Sequence, residues 1–114
     1  MTTHVLDTAR GWPAAGLMLE LYWLGEDGRE RLLSTLTNSD GRTDAPLIAR
    51  GRLTAGVYEL VFDVGGYFRG SGLTGADPAF LGQVPVRFGV ADTGAHYHVP
   101  LLVSPWAYST YRGS

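Results

Sequence analysis

Histidines stand at positions 4, 96 and 98, and an arginine, Arg42, emerges from the turn signal Asn38-Ser39-Asp40-Gly41. A neutral imidazole can take a proton from water near pH 7, and a positioned one contributes about 10²- to 10⁴-fold in rate. Two of them, His4 and His98, would allow base and acid roles. Arg42 stays cationic and offers a planar fork of donors. Such a fork suits a flat, oxygen-rich substrate and the negative charge that grows on an attacked carbonyl. Ser114 closes the tail Tyr111-Arg112-Gly113-Ser114 with a hydroxyl and a terminal carboxylate, on a segment that frays unless something ties it down. Each residue also has a plainer reading, since a strand histidine is commonly packed or solvated and Arg42 could cap its turn. Spacing alone does not bring them together.

His96-Tyr97-His98 is a second constellation. Residues two apart on a strand point the same way, so two imidazoles could face one ion, with zinc the obvious candidate. The segment lacks the carboxylate or third ligand that would make the pattern specific. Gly70-Ser71-Gly72-Leu73-Thr74-Gly75 matches the dinucleotide pattern G-x-G-x-x-G. That motif works where a long helix begins at the glycines, and here Ala76-Asp77-Pro78 follows, so nucleotide binding is not expected.

Composition narrows the classes further. The absence of cysteine removes a thiolate nucleophile, a disulfide and Cys-ligated zinc. The net charge is -2 and the nine basic residues are scattered from Arg10 to Arg112, unlike the basic patch of a nucleic-acid binder. No run approaches the roughly 18 apolar residues of a membrane span, and the N-terminus has no signal pattern, so a cytoplasmic protein is expected. With 45% hydrophobic and 18% charged residues, the 114-residue chain suits a single globular domain over residues 1–114.

The elements that must position these groups read as short strands separated by turn signals. Thr3–Thr8 alternates, with His4 and Leu6 on one face and Val5 and Asp7 on the other, and Arg10-Gly11-Trp12-Pro13 ends it. Leu17–Leu24 and Arg31–Thr37 form a hairpin around Glu26-Asp27-Gly28. Pro46–Ile48 reads as a short edge strand and Gly56–Val64 as a strong central one. Glycine-rich Gly65–Gly75 reads as a loop with room for one helical turn. Val84–Val90, His96–Val103 and Trp106–Arg112 complete seven or eight strands. No apolar period of 3.6 runs over a helical length, so the class is all-β, an antiparallel β-sandwich.

Three stretches carry a resemblance that spans essentially the whole chain. They are Thr3-His4-Val5-Leu6-Asp7-Thr8-Ala9-Arg10-Gly11, Thr37-Asn38-Ser39-Asp40-Gly41-Arg42, and Tyr97-His98-Val99-Pro100-Leu101-Leu102 through Ser104-Pro105 to the final Tyr-Arg-Gly-Ser. Together they resemble the 5-hydroxyisourate hydrolases, the transthyretin-related family of purine catabolism, and the C-terminal tetrapeptide is the most specific mark. The resemblance implies a transthyretin-like sandwich of two four-stranded sheets with one short helix. It also implies a homotetramer whose active sites lie in a channel between dimers.

The implied reaction is cofactor-free ring opening of 5-hydroxyisourate by water, giving 2-oxo-4-hydroxy-4-carboxy-5-ureidoimidazoline. By the same resemblance, one of His4 and His98 activates water and the other orients substrate or protonates the leaving nitrogen. Arg42 holds substrate oxygens, Tyr111 forms a wall, Ser114 closes the site, and Arg112 anchors the tail in a neighbouring subunit or touches substrate. The hormone-carrying transthyretins share the fold, but their residues matching His4, Arg42 and His98 are lysine, glutamate and threonine. A noncatalytic small-molecule carrier and a zinc-dependent hydrolase using His96 and His98 stand as the alternatives.

Overall fold

The computed structural model describes Met1–Ser114. Eight strands and one helix run in the order β1 (Thr2–Asp7), β2 (Trp12–Pro13), β3 (Met18–Gly25), β4 (Gly28–Leu36), β5 (Gly56–Asp63), α1 (Val64–Phe68), β6 (Gln83–Val90), β7 (His98–Val103) and β8 (Tyr108–Thr110). They form two four-stranded sheets, β2-β1-β7-β8 and β4-β3-β5-β6. The all-β architecture is the one expected from the alternation. Pairings are antiparallel except between β1 and β7, which run parallel with Thr2 opposite His98 and His4 opposite Pro100. Side-chain alternation reports which face a residue takes and carries no information on strand direction.

Several boundaries differ from expectation. Trp12–Pro13, read as a terminator, is a two-residue edge strand on β1, where a proline needs no ladder donor. Pro46–Ile48 is not a strand: Leu47 is buried, and its N–H donates to the Met1 carbonyl at 2.8 Å, pinning the segment as a loop. His96 lies before β7, and the last strand spans three residues only.

The core is the contact between the inner faces of the sheets. Val5, Leu101 and Val103 from one meet Leu19, Leu21, Leu60 and Phe62 from the other, all fully buried. Burial of each such side chain is worth about 1.5–3 kcal/mol, so these positions hold the sandwich shut. The single helical turn is capped by Asp63, whose carboxylate accepts from the Gly66 N–H at 3.0 Å, and it buries Val64 and Phe68 on one side. Asp7, fully buried on the inner face of β1, ties that turn down by accepting from the Tyr67 hydroxyl at 2.9 Å, and it also accepts from the Arg10 N–H at 3.0 Å just beyond β1. No helix is long and apolar enough to cross a membrane. With Thr3, Val5 and Asp7 inside, Thr2, His4 and Leu6 face outward, as His98 does on β7.

Candidate active site

The parallel pairing of β1 and β7 brings two ends of the chain side by side. Thr2 and His98 are register partners, and the Thr2 hydroxyl oxygen lies 2.8 Å from His98 Nδ1. On its other side His98 meets the tail: the Gly113 N–H donates to the His98 carbonyl at 2.7 Å. The approach is so close that a Cβ on residue 113 would fall 2.5 Å from His98 Cδ2. The imidazole is thus held at Nδ1 by a hydroxyl and along its Cδ2 edge by bare backbone.

Arg42 reaches the same place through a loop built by Asn38. The Asn38 side-chain oxygen accepts from the N–H groups of Asp40 (2.9 Å) and Arg42 (3.2 Å), and the Asn38 N–H donates to the Arg42 carbonyl at 2.7 Å. Gly41, at φ +74, lets the loop press onto β1, where its carbonyl accepts from the Val5 N–H at 2.8 Å. A side chain there would meet the Val5 carbonyl oxygen at 2.5 Å, and glycine alone relieves both constraints. His4 then forms an isolated antiparallel bridge with Arg42.

These groups surround an open cleft of about 470 Å³ whose walls include Thr2, Arg42, Asp44, His96, His98 and Ser114. Burial pushes the His98 imidazole below its ordinary pKa, and the nearby positive charges of Arg42, His4 and His96 push the same way. His98 therefore stays neutral near pH 7 beside a permanent cation. That pairing can deprotonate water and stabilise a developing oxyanion.

Of the residues singled out from sequence, Arg42, His98 and Ser114 line the cleft. His4 touches it through its bridge to Arg42 and is not part of the wall. Tyr111 is exposed and lines a separate groove of about 390 Å³ with Phe88, Tyr97 and Arg112. Arg112 is anchored on its own chain, with its guanidinium 4.4 Å from the Tyr97 ring centroid and donating to the His96 carbonyl at 3.4 Å. The His96 and His98 rings lie nearly parallel, 6.4 Å apart, and no group of three or more His, Asp or Glu side chains is placed to hold a metal. Sequence reasoning overlooked Thr2, although alternation puts it on the face of His4, and it read Asn38 only as a turn residue.

The chain as a whole is similar to known proteins. The model of the HIUase/Transthyretin family matches residues 1–113. A protein of Rhizobium meliloti named 5-hydroxyisourate hydrolase 2 is 58% identical over all of this chain and 95% of its own length. Among solved structures, (S)-allantoin synthase superposes with a TM-score of 0.92 at 43% identity, covering 99% of this chain, which spans only 43% of that longer one. Sea bream transthyretin in complex with thyroxine superposes with a TM-score of 0.86 at 28% identity, covering 98% of this chain and 92% of its own.

Proposed function

The chain belongs to the HIUase/Transthyretin family, and we propose that within it the chain is a hydrolase that opens 5-hydroxyisourate to 2-oxo-4-hydroxy-4-carboxy-5-ureidoimidazoline. The observation that carries this reading is His98, held at Nδ1 by Thr2 in a polar cleft beside Arg42. His98 Nε2 takes a proton from water as the water oxygen attacks the ring carbonyl. Arg42 donates to the oxygen that becomes negative. The tetrahedral intermediate collapses, the C–N bond breaks, and a histidine returns the proton to the leaving nitrogen, with His4 orienting substrate or sharing that transfer. The new carboxyl ionises and one proton leaves to solvent.

Ser114 closes the cleft within one chain. Tyr111, in the neighbouring groove, would reach substrate only across an interface between copies. A homotetramer with sites between dimers supplies such an interface, and light scattering tests it. The carrier reading draws on the likeness to transthyretin. It fits the cleft poorly, because threonine, histidine, arginine and aspartate side chains dominate the lining and only Ala45 and Pro46 are apolar.

The test is the decay of freshly generated 5-hydroxyisourate, followed in the presence of a chelator. Fast stereospecific loss is expected, with turnover falling sharply in His4→Ala, Arg42→Ala and His98→Ala. Decay no faster than the spontaneous reaction would refute the hydrolase, and a requirement for added zinc would point to a metal enzyme instead.

A further inference from the structure

Thr2 takes no part in the proton transfers proposed above, yet its hydroxyl touches both histidines at the cleft. The oxygen lies 2.8 Å from His98 Nδ1 and 3.4 Å from His96 Nε2, between two imidazole rings inclined by only 9°. A hydroxyl has one hydrogen to give and two lone pairs to accept with, so the proton order along these three groups is restricted. If Thr2 gives its hydrogen to His98 Nδ1, the proton of that imidazole must sit on Nε2, and His98 cannot act as a base from that atom. If His98 donates from Nδ1 to Thr2, its Nε2 is unprotonated, and the Thr2 hydrogen turns to His96 Nε2. Only the second order serves water activation, and in it all three groups are satisfied.

We propose that Thr2 is a positioning residue, its hydroxyl linking His98 Nδ1 to His96 Nε2 and holding His98 in the tautomer whose Nε2 is the free base. This rests on the hydrolase reading of the same cleft. The fold suits Thr2 to the task. Its N–H donates to the Tyr97 carbonyl at 2.9 Å, fixing the backbone, and β-branching limits the directions its hydroxyl can take. The role also accounts for His96, which is exposed, lines the cleft and has no other assigned part.

The experiment compares Thr2→Val, Thr2→Ser and His98→Gln on freshly generated 5-hydroxyisourate, with ¹⁵N spectra of the imidazoles. Valine keeps the shape and the backbone bond and removes only the hydroxyl. Thr2→Val should lower kcat at least tenfold, toward the roughly 10²-fold that a positioned base contributes, with KM changed less than about twofold. Thr2→Ser should keep kcat within about threefold of the parent, because the hydroxyl does the work. The spectra should show His98 protonated at Nδ1 in the parent and a mixture in Thr2→Val. If His98→Gln is inactive while Thr2→Val turns over normally, or if the parent carries its His98 proton on Nε2, the role of Thr2 is overturned and the hydrolase reading survives. If His98→Gln itself retains full turnover, both fall.

Discussion

Gly113→Ala separates the tail's effect on the site from its effect on the fold. Gly113 does not adopt a positive φ, so alanine is conformationally acceptable and the perturbation is purely steric. On the unmoved backbone the new methyl would lie 2.5 Å from His98 Cδ2, 3.2 Å from Cγ and 3.3 Å from Cβ. Carbon atoms in contact sit about 3.5–4.0 Å apart, so ring and tail must separate by about 1 Å. If the ring turns, it leaves the Thr2 hydroxyl now 2.8 Å from Nδ1; if the tail lifts, it breaks the 2.7 Å bond from the Gly113 N–H to the His98 carbonyl.

Either route forfeits about one neutral hydrogen bond, roughly 1 kcal/mol net, which corresponds to a fall of about 3–6 °C in melting temperature for a chain of this size. Turnover should suffer far more, because a displacement near 1 Å of a reacting group can cost about 10²-fold. Stopped-flow decay of 5-hydroxyisourate gives kcat, and thermal unfolding gives the stability. A folded Gly113→Ala protein with kcat within threefold of the parent would show that the contact between tail and His98 has no catalytic consequence.

Three further outcomes concern the loop and the titration of His98. Asn38→Ala removes the acceptor for the Asp40 and Arg42 N–H groups, and it also releases Asp44, whose carboxylate now accepts from the Asn38 amide at 3.0 Å. A free Asp44 can pair with Arg42, so KM should rise and kcat fall together, about tenfold in kcat/KM, and Asp44→Asn in the same chain should restore part of the loss; no rescue would contradict the pairing. Because burial lowers the His98 pKa below its ordinary value of about 6.5, the midpoint of the acid limb of turnover should lie beneath that value. An acid limb at or above that value would exclude His98 as the base. For stability, the unfolded chain takes up its proton first, so the contribution of His98 is complete above about 6.5 and is lost as pH falls through the lowered folded value. Urea midpoints of the parent and His98→Asn should converge across that window.

Much of the site could be read from alternation. His4 and Leu6 were expected opposite Val5 and Asp7, and the burial along β1 follows that order. Arg42 was expected straight after a turn, and the Asn38 side chain makes that turn. Long-range geometry was not readable. That β1 lies parallel to β7 decides that Thr2 faces His98, and nothing local to either strand encodes it. Tyr111 and Ser114 share one short tail, yet they open onto different grooves, because the bridge from Gly113 to His98 turns the chain between them. Pro46–Ile48 has the residue types of a strand, but its donor is spent on Met1, at the other end of the sequence.

The two outer faces of the sandwich differ in a way that favours the proposed chemistry on one of them. The sheet β4-β3-β5-β6 carries ion pairs on its outer face: Arg31 pairs with Glu20 at 3.0 Å, and Glu59 is held between Arg29 at 3.5 Å and Arg87 at 3.1 Å. Those arginines are each paired with a carboxylate where they stand, two of them sharing Glu59. The outer face of β1 and β7 presents Thr2, His4, Leu6 and His98, and the adjoining Arg42 makes no ion pair. Asp44, a side-chain carboxylate in the same cleft, is engaged by the Asn38 amide instead. Asn38 thereby holds the Arg42 backbone with its oxygen and occupies Asp44 with its nitrogen, so Arg42 stands in the cleft without a direct ion pair. That cation helps push the His98 pKa down, and in the proposed reaction it would remain available when the attacked carbonyl turns negative. One side-chain amide, in a turn that reads as ordinary, would thus serve both the proposed base and the proposed oxyanion holder.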